Sequence, residues 1–450
     1  MLNRFLYRSY RFFYAWDVWR ERRMTRAGWF MITLVGIMGL FSLETNRAMV
    51  YQAFAFLLPV IGFAVVFSLF FRARFDVRRE LPRYATVGEE LTYSLHVTNR
   101  TRHRQRGLLA IEDMADPRPS MEEMLTIPEP EEGKRNAWDR GTMWFRFQWL
   151  IGWRKRADAE AFSLLPMEPG ATIKNRVALM PRRRGHLNLR GITISRPDPF
   201  GLFKAAVHIR NRQSVLILPR RYPVPALELP GSRRFQPGGV TLASSVGDSQ
   251  EFFSVREYRP GDPLRHIHWK SWARTGKPII KEFQDEFFVR HALILDTFEP
   301  NGETEVFESA VSVAASFVDA LQTREALLDL MFVGDRAYCF SSGRGISDTG
   351  RMLEILADVT ACRDKPFETL WPIVLENVGR LSGCLCVLLG WDTPRQELVR
   401  RLRGLRLPLR VVVIRNSTAE DEIDAGPMRD MPGAFHVLNT GAIKEGLAAI

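Results

Sequence analysis

The chain has 450 residues, 46% of them hydrophobic and 25% charged. That is too long for one small domain and suits a folded chain of two or three. The net charge is +12, but thirteen Arg against five acidic residues up to Arg83 place +8 of it there. With two-thirds of the excess at the start of the chain rather than on a folded module, a nucleic-acid binder is disfavoured and no nucleic-acid partner is expected.

Residues 1–26 mix Arg4, Arg8, Arg11, Arg20, Arg22, Arg23 and Arg26 with Phe5, Tyr10, Phe12, Phe13, Trp16 and Trp19. Rings and guanidinium groups together suit a lipid headgroup layer. The leader is predicted to be an interfacial helix on the inner leaflet; the alternative is a disordered basic tail. Two uncharged apolar runs follow, Ala27–Leu43 and Met49–Phe71. At ~1.5 Å per residue each crosses a ~30 Å hydrocarbon core, the first only just. The intervening turn holds Glu44 and Arg47, so residues 27–71 are predicted to form a transmembrane hairpin. Arg residues cluster before the first run and after the second (Arg72, Arg74, Arg78, Arg79, Arg83). Positive charge stays on the cytoplasmic side, so both ends of the chain are expected there.

From Phe75 the pattern has a period of two. Leu91, Tyr93, Leu95 and Val97 alternate with polar residues, and similar runs are Leu108–Ile111, Ala161–Leu165, Thr172–Met180, His186–Ser195 and Ser214–Leu218. Short alternating strands between turn residues predict an immunoglobulin-like β-sandwich over 75–220. Residues 115–160 do not fit it. An acidic stretch, Glu122–Glu132, precedes Trp138, Trp144, Phe145, Phe147, Trp149 and Trp153. This reads as an inserted arm, packed on the sandwich or else touching lipid or a partner.

Residues 290–450 alternate apolar strands with amphipathic helices. Strands are predicted over His291–Leu295, Ala326–Val333, Ala337–Phe340, Gly383–Gly390 and Leu409–Ile414, and helices over Glu305–Thr323, Arg351–Val359 and Pro394–Arg403. That order implies a parallel sheet covered on both faces, with Asp296 and Asp392 at the carboxyl ends of strands where ligands of such sheets sit. The four cysteines all fall at or after Cys339, and Cys384 and Cys386 alternate in one apolar strand. They are predicted to be reduced core thiols.

Two motifs are more distinctive than any periodicity. One is RRGHLNLRGITISRPDPFGLF, residues 183–203; the other is REYRPGDPLRHIHWKSWARTGKPIIKEF, residues 256–283. In the first, Asp198, Pro199 and Gly201 mark a turn, and Phe200 and Phe203 are expected to plug the sandwich. The second lies in a predicted linker, 221–289, and concentrates Arg256, Tyr258, Arg259, Asp262, Arg265, Trp269, Lys270 and Arg274. It is an ion-paired brace between domains, a docking surface for a partner, since Arg and Trp dominate interface energies, or an anion-binding site. Together the motifs resemble the bacterial domain-of-unknown-function 58 family. The resemblance extends to the paired spans. His268 stands where the family motif has an acidic residue, and Trp272 where it has a small one.

The resemblance implies a protein anchored in the bacterial inner membrane, multi-pass, with its soluble domains in the cytoplasm and a C-terminal domain similar to von Willebrand factor A. Such domains often hold a divalent cation with an Asp-x-Ser-x-Ser loop. Here that loop reads Asp296, Thr297, Phe298, Glu299, Pro300. Phe298 and Pro300 offer no ligand oxygen and Thr349 matches the middle loop loosely, so Asp296 and Asp392 are left as a degenerate site. Magnesium is expected to bind weakly or not at all, and no cofactor is expected. The family's link to MoxR-type AAA+ ATPases implies a non-enzymatic adaptor or assembly factor acting with such an ATPase and with membrane lipid. The competing class is a hydrolase using His266, His268, Asp262 or Asp285. The sequence has no Gly-Lys-Ser/Thr phosphate loop for nucleotide chemistry.

Overall fold

The computed structural model describes residues 2–41, 48–69, 71, 73–130, 132–225, 241–246, 252–262, 264–287, 290–300, 304–322, 327–342, 346–416 and 423–450. The chain divides into two units, Met1–Leu218 and Pro219–Ile450.

The first unit opens with three helices, α1 (Leu2–Arg23), α2 (Arg26–Phe41) and α3 (Ala48–Leu69). The leader is thus helical, not a disordered tail. Among the described residues one helix is long and apolar enough to cross a membrane, at Met49–Ser68. Over the first predicted span α2 has 16 described residues, about 24 Å of helix. Its neighbour packs closely, because a Cβ on Gly39 would lie 3.0 Å from the Phe54 ring.

Strands β1 (Phe75–Glu80), β2 (Tyr84–Thr86), β3 (Leu91–Asn99) and β4 (Leu108–Met114) follow. Then come the arm helices α4 (Met121–Thr126), α5 (Ala137–Thr142) and α6 (Trp144–Arg154). Strands β5 (Ala157–Ala159), β6 (Phe162–Leu164), β7 (Thr172–Pro181), β8 (Gly185–Pro197) and β9 (Lys204–Leu218) complete the unit. One sheet runs β1-β3-β7-β5 and the other β2-β9-β8-β4-β6; all pairs are antiparallel except β2–β9. The alternation of β3 is realised as strictly alternating burial. Leu95, Val97, Val177, Leu187, Ile192 and Ile217 from both sheets share one core. A buried ion pair ties the sheets together. Arg79 of β1 donates from Nε (3.0 Å) and Nη2 (2.7 Å) to Glu112 of β4, and Tyr93 of β3 donates to the same carboxylate at 2.5 Å. Arg79 Nη1 also reaches the Asn211 carbonyl and Nη2 that of Gly191, so every nitrogen of the buried guanidinium has a partner.

The arm packs against the leader helix, and its Trp153 ring also lies under the guanidinium of Arg183, between β7 and β8. Met124, Met143, Phe147 and Leu150 form a small core with Tyr7, Tyr10 and Tyr14 of α1. Tyr7 donates to the Pro119 carbonyl at 3.0 Å and Tyr10 to that of Thr142 at 2.8 Å. One expectation for this unit is corrected: Phe203 is not part of the core shared by the two sheets. Leu202 and Phe203 are buried against Met24, Met31, Ile32, Val60, Ile61 and Ala64, between the starts and ends of the apolar helices. Phe200 is 51% exposed, its ring edge-on to Phe63.

The second unit holds β10 (Thr241–Val246), β11 (Phe252–Glu257), α7 (Trp269–Thr275), β12 (Ile279–Phe287) and β13 (Arg290–Leu295). It continues with α8 (Glu305–Gln322), β14 (Leu327–Val333), β15 (Ala337–Ser342), α9 (Ile346–Asp358), α10 (Trp371–Asn377) and β16 (Gly383–Leu388). It ends with α11 (Thr393–Gly404), β17 (Leu409–Arg415), β18 (Phe435–Asn439) and α12 (Ile443–Ala448). A six-stranded sheet runs β15-β14-β13-β16-β17-β18, parallel except at β15. Its strands read as continuous apolar runs because both faces are covered. Ala292, Ile294, Cys384, Cys386, Val411 and Val413 point to α10 and α11, with Leu370, Val374, Leu398 and Leu402 over them. The alternate residues face α8, which runs across β13, β14, β16 and β17. Cys362, Cys384 and Cys386 are buried thiols, whereas Cys339 is exposed. The edge strand β18 and the helices α10 and α12 escaped the periodicity.

The segment expected to be a linker carries structure of its own. β10, β12 and β11 form a three-stranded sheet, within the second unit.

Candidate functional site

The second motif folds as a hairpin with a helical crossing. β11 pairs with β12, from Glu257 opposite Ile279 to Phe252 opposite Phe283. Between them a single helical turn, Leu264–His266, leads into α7. Ile267 and Ile280 are buried and paired, so they pin the crossing to the hairpin. Gly261, at φ +106°, makes the turn that an L side chain would strain. Gly276 ends α7 in the left-handed conformation.

The polar residues divide by what they touch. Arg256 grips Asp262 with both terminal nitrogens, each at 2.7 Å. Asp262 also accepts from the Arg259 backbone N–H at 2.8 Å. These contacts, Arg256 first, hold the Asp262 carboxyl down at about 2. Lys277 reaches Glu257 at 3.2 Å. Tyr258 is half-buried and its backbone N–H binds the Pro278 carbonyl. Arg259, Arg265, Lys270 and Arg274 are exposed. Trp269 is 66% exposed and stacks on Trp272 at 5.2 Å, and Leu264 is 67% exposed. The block therefore combines a self-bracing turn with an outward face of cations and apolar rings.

The two histidines make separate local contacts. His266 ends the single helical turn and accepts from Arg265 at 3.1 Å; His268 precedes α7 and meets the Ser271 hydroxyl at 2.6 Å. The second contact spans three residues at a helix start, where side chains commonly satisfy one another locally. Asp285 lies on β12.

The other candidate residues lie at the carboxyl ends of β13 and β16. Asp296 is fully buried. Its oxygens accept from the backbone N–H of Phe298 (3.0 Å) and Leu389 (2.9 Å) and from Arg395 Nε (2.6 Å). Arg395 also donates to Asp392 at 2.7 Å and to the Phe298 carbonyl at 3.2 Å, with its guanidinium over the Phe367 ring. Asp392 caps α11, accepting from the Arg395 N–H. Burial pushes the Asp296 carboxyl up, and the Arg395 charge pulls it back. Burial works against the Arg395 charge, but Asp296 and Asp392 raise its pKa overall. A guanidinium thus stands between the two carboxylates expected at a cation site. Phe298 is buried against Phe367 and supplies no side-chain oxygen. Thr349 lies in α9. Among the described residues no three His, Cys, Asp or Glu converge as a metal ion needs. These residues do not fit a hard divalent cation. Arg395 was missed from sequence because an Arg in a helix reads as a solvated charge. Its signal is the Asp-x-x-Arg spacing from a capping Asp392.

The molecule is a mixed α/β chain of several sheets, preceded by a helix apolar enough to span a bilayer. Residues 254–370 match the family described as "Protein of unknown function DUF58", so the resemblance read from the second motif is borne out over this segment. The chain is similar to the "Uncharacterized protein YeaD" of Bacillus subtilis (strain 168), 26% identical over 190 residues, which are 41% of this chain. It spans 45% of the length of that relative. Among solved structures it is similar to the CARDB domain of PF1109 from Pyrococcus furiosus, at 9% identity, covering 32% of this chain and 94% of that one, with a TM-score of 0.17. A β-glucosidase from Listeria innocua is similar over 32% of this chain and 16% of its own, at 10% identity and a TM-score of 0.17. Likenesses of that size carry no argument.

Proposed function

We propose that this protein is a membrane-tethered, non-enzymatic adaptor whose cytoplasmic face binds a protein partner through the 256–283 block. In this reading α2 and α3 are the two-helix anchor of a multi-pass inner-membrane protein. The paired sheets are an immunoglobulin-like sandwich, and the six-stranded sheet is a von Willebrand factor A-like domain. The partner is a MoxR-type AAA+ ATPase, as the family resemblance implies. The place of magnesium is taken by Arg395. The observation that carries the proposal is the division of labour in the block: Arg256 and Asp262 hold the turn, while Arg259, Lys270, Arg274 and Trp269 face outward. A purely structural brace has no use for an exposed Trp beside three exposed cations.

The test is affinity capture of a MoxR-type ATPase by the detergent-solubilised full chain. Arg259→Ala, Lys270→Ala and Arg274→Ala together should weaken capture at least tenfold with the melting temperature unchanged. Arg256→Ala should instead lower the melting temperature. Parental capture by the folded triple variant would overturn the docking surface.

A further inference from the structure

We infer that α1 is a second membrane contact, a helix seated in the headgroups of an anionic bilayer by one face while its opposite face carries the Trp-rich arm. The inference rests on the membrane reading of Met49–Ser68 above. With about 100° between successive residues of a helix, Leu2, Phe5, Phe12, Phe13, Trp16 and Trp19 fall within an arc of about 120°. All six are exposed, from 44% at Trp16 to 69% at Phe5. Tyr7, Tyr10 and Tyr14 fall on the opposite side and are taken up by the arm. Arg4, Arg8 and Arg11 line one flank between the two faces, and Arg11 reaches back to the Tyr7 hydroxyl at 2.7 Å.

Three observations select a bilayer as the occupant of the aromatic face. The basic flank complements anionic headgroups and repels a second copy of itself. Aromatic rings beside Arg are the composition of an interfacial helix. The face is also continuous with the apolar helices. Two residues separate α1 from α2, and they are fixed: Met24 pairs with Phe203, and the Thr25 N–H binds the Leu202 carbonyl at 3.0 Å. The end of α1 is therefore held where the anchor begins. Seated in this way, α1 turns the arm away from lipid, so the arm tryptophans face the cytoplasm.

The experiment uses the full chain with Cys339→Ser, because the other three cysteines are buried. An environment-sensitive label is placed at Phe12→Cys or at Ala15→Cys, which lies exposed outside the aromatic arc. Quenching by spin-labelled lipid is read in nanodiscs of phosphatidylglycerol or of phosphatidylcholine. The label at 12 should be quenched at least threefold more than that at 15 in phosphatidylglycerol. The gap should at least halve in phosphatidylcholine, and again with Arg4→Glu and Arg8→Glu. Equal quenching at the two positions, or the same gap in both lipids, would overturn the inference. Failure of the membrane reading looks different: the parent chain would then be extracted from membranes by alkaline carbonate.

Discussion

At the carboxyl ends of β13 and β16, Arg395 answers two carboxylates and a carbonyl at once, and Asp296 has no access to water. Removing one partner of a buried pair leaves the other charge uncompensated, at a cost of about 3–5 kcal/mol. Arg395→Ala should therefore lower the unfolding free energy of the second unit by about that amount. Adding Asp296→Ala should restore part of the loss, since the stranded charge goes with it. Denaturant melts of the two variants check this; a single variant as stable as the parent would show the pair to be idle. Asp296 and Asp392 were legible in sequence because apolar strands stop at them. The residue that neutralises them was not, because nothing local distinguishes it from the exposed Arg400 one turn further on.

Among the elements, the loop between β8 and β9 shows how a turn read from sequence acquires a partner. Asp198 organises it by accepting from the backbone N–H of Phe200 (2.6 Å), Leu202 (3.1 Å) and Phe203. Gly201, at φ +67°, completes the turn. The ordered loop then presents its carbonyls to the start of α2, where Thr25 donates its hydroxyl to Gly201 at 2.5 Å and caps the Gly28 N–H at 3.0 Å. A Cβ on Gly28 would lie 2.0 Å from the Leu202 carbonyl oxygen, whereas one on Gly36 meets nothing within 4 Å. Gly28→Val must displace backbone, so it should lower the melting temperature of the full chain in detergent by several degrees. Gly36→Val in the same helix should not. Equal effects of the two would remove the clamp. The Asp-Pro-Phe-Gly turn was evident from residue types; its target was not, because it lies on a helix far away in the chain.

Over the whole molecule, the Arg distribution predicts that both flanks of the apolar pair lie in the cytoplasm. Reporter fusions after Phe71 and at Ile450 should be active only as cytoplasmic reporters. Alkaline phosphatase activity from either would reverse the orientation. Charge sidedness and the periods of two and 3.6 residues are local properties, written along a few consecutive turns or strand positions. For that reason the leader helix, the alternating strands, the α/β alternation and the signature block could be read before any fold was known. The partners of those elements could not. Tyr10 meets Thr142 across 132 positions, Thr25 meets Gly201 across 176 and Arg395 meets Asp296 across 99. Burial of an apolar face is non-directional, so a pattern states that a face must be covered and leaves open by what. Only the tertiary structure decided that the arm covers the leader, that the turn clamps the start of α2, and that an arginine joins the two carboxylates of the degenerate site.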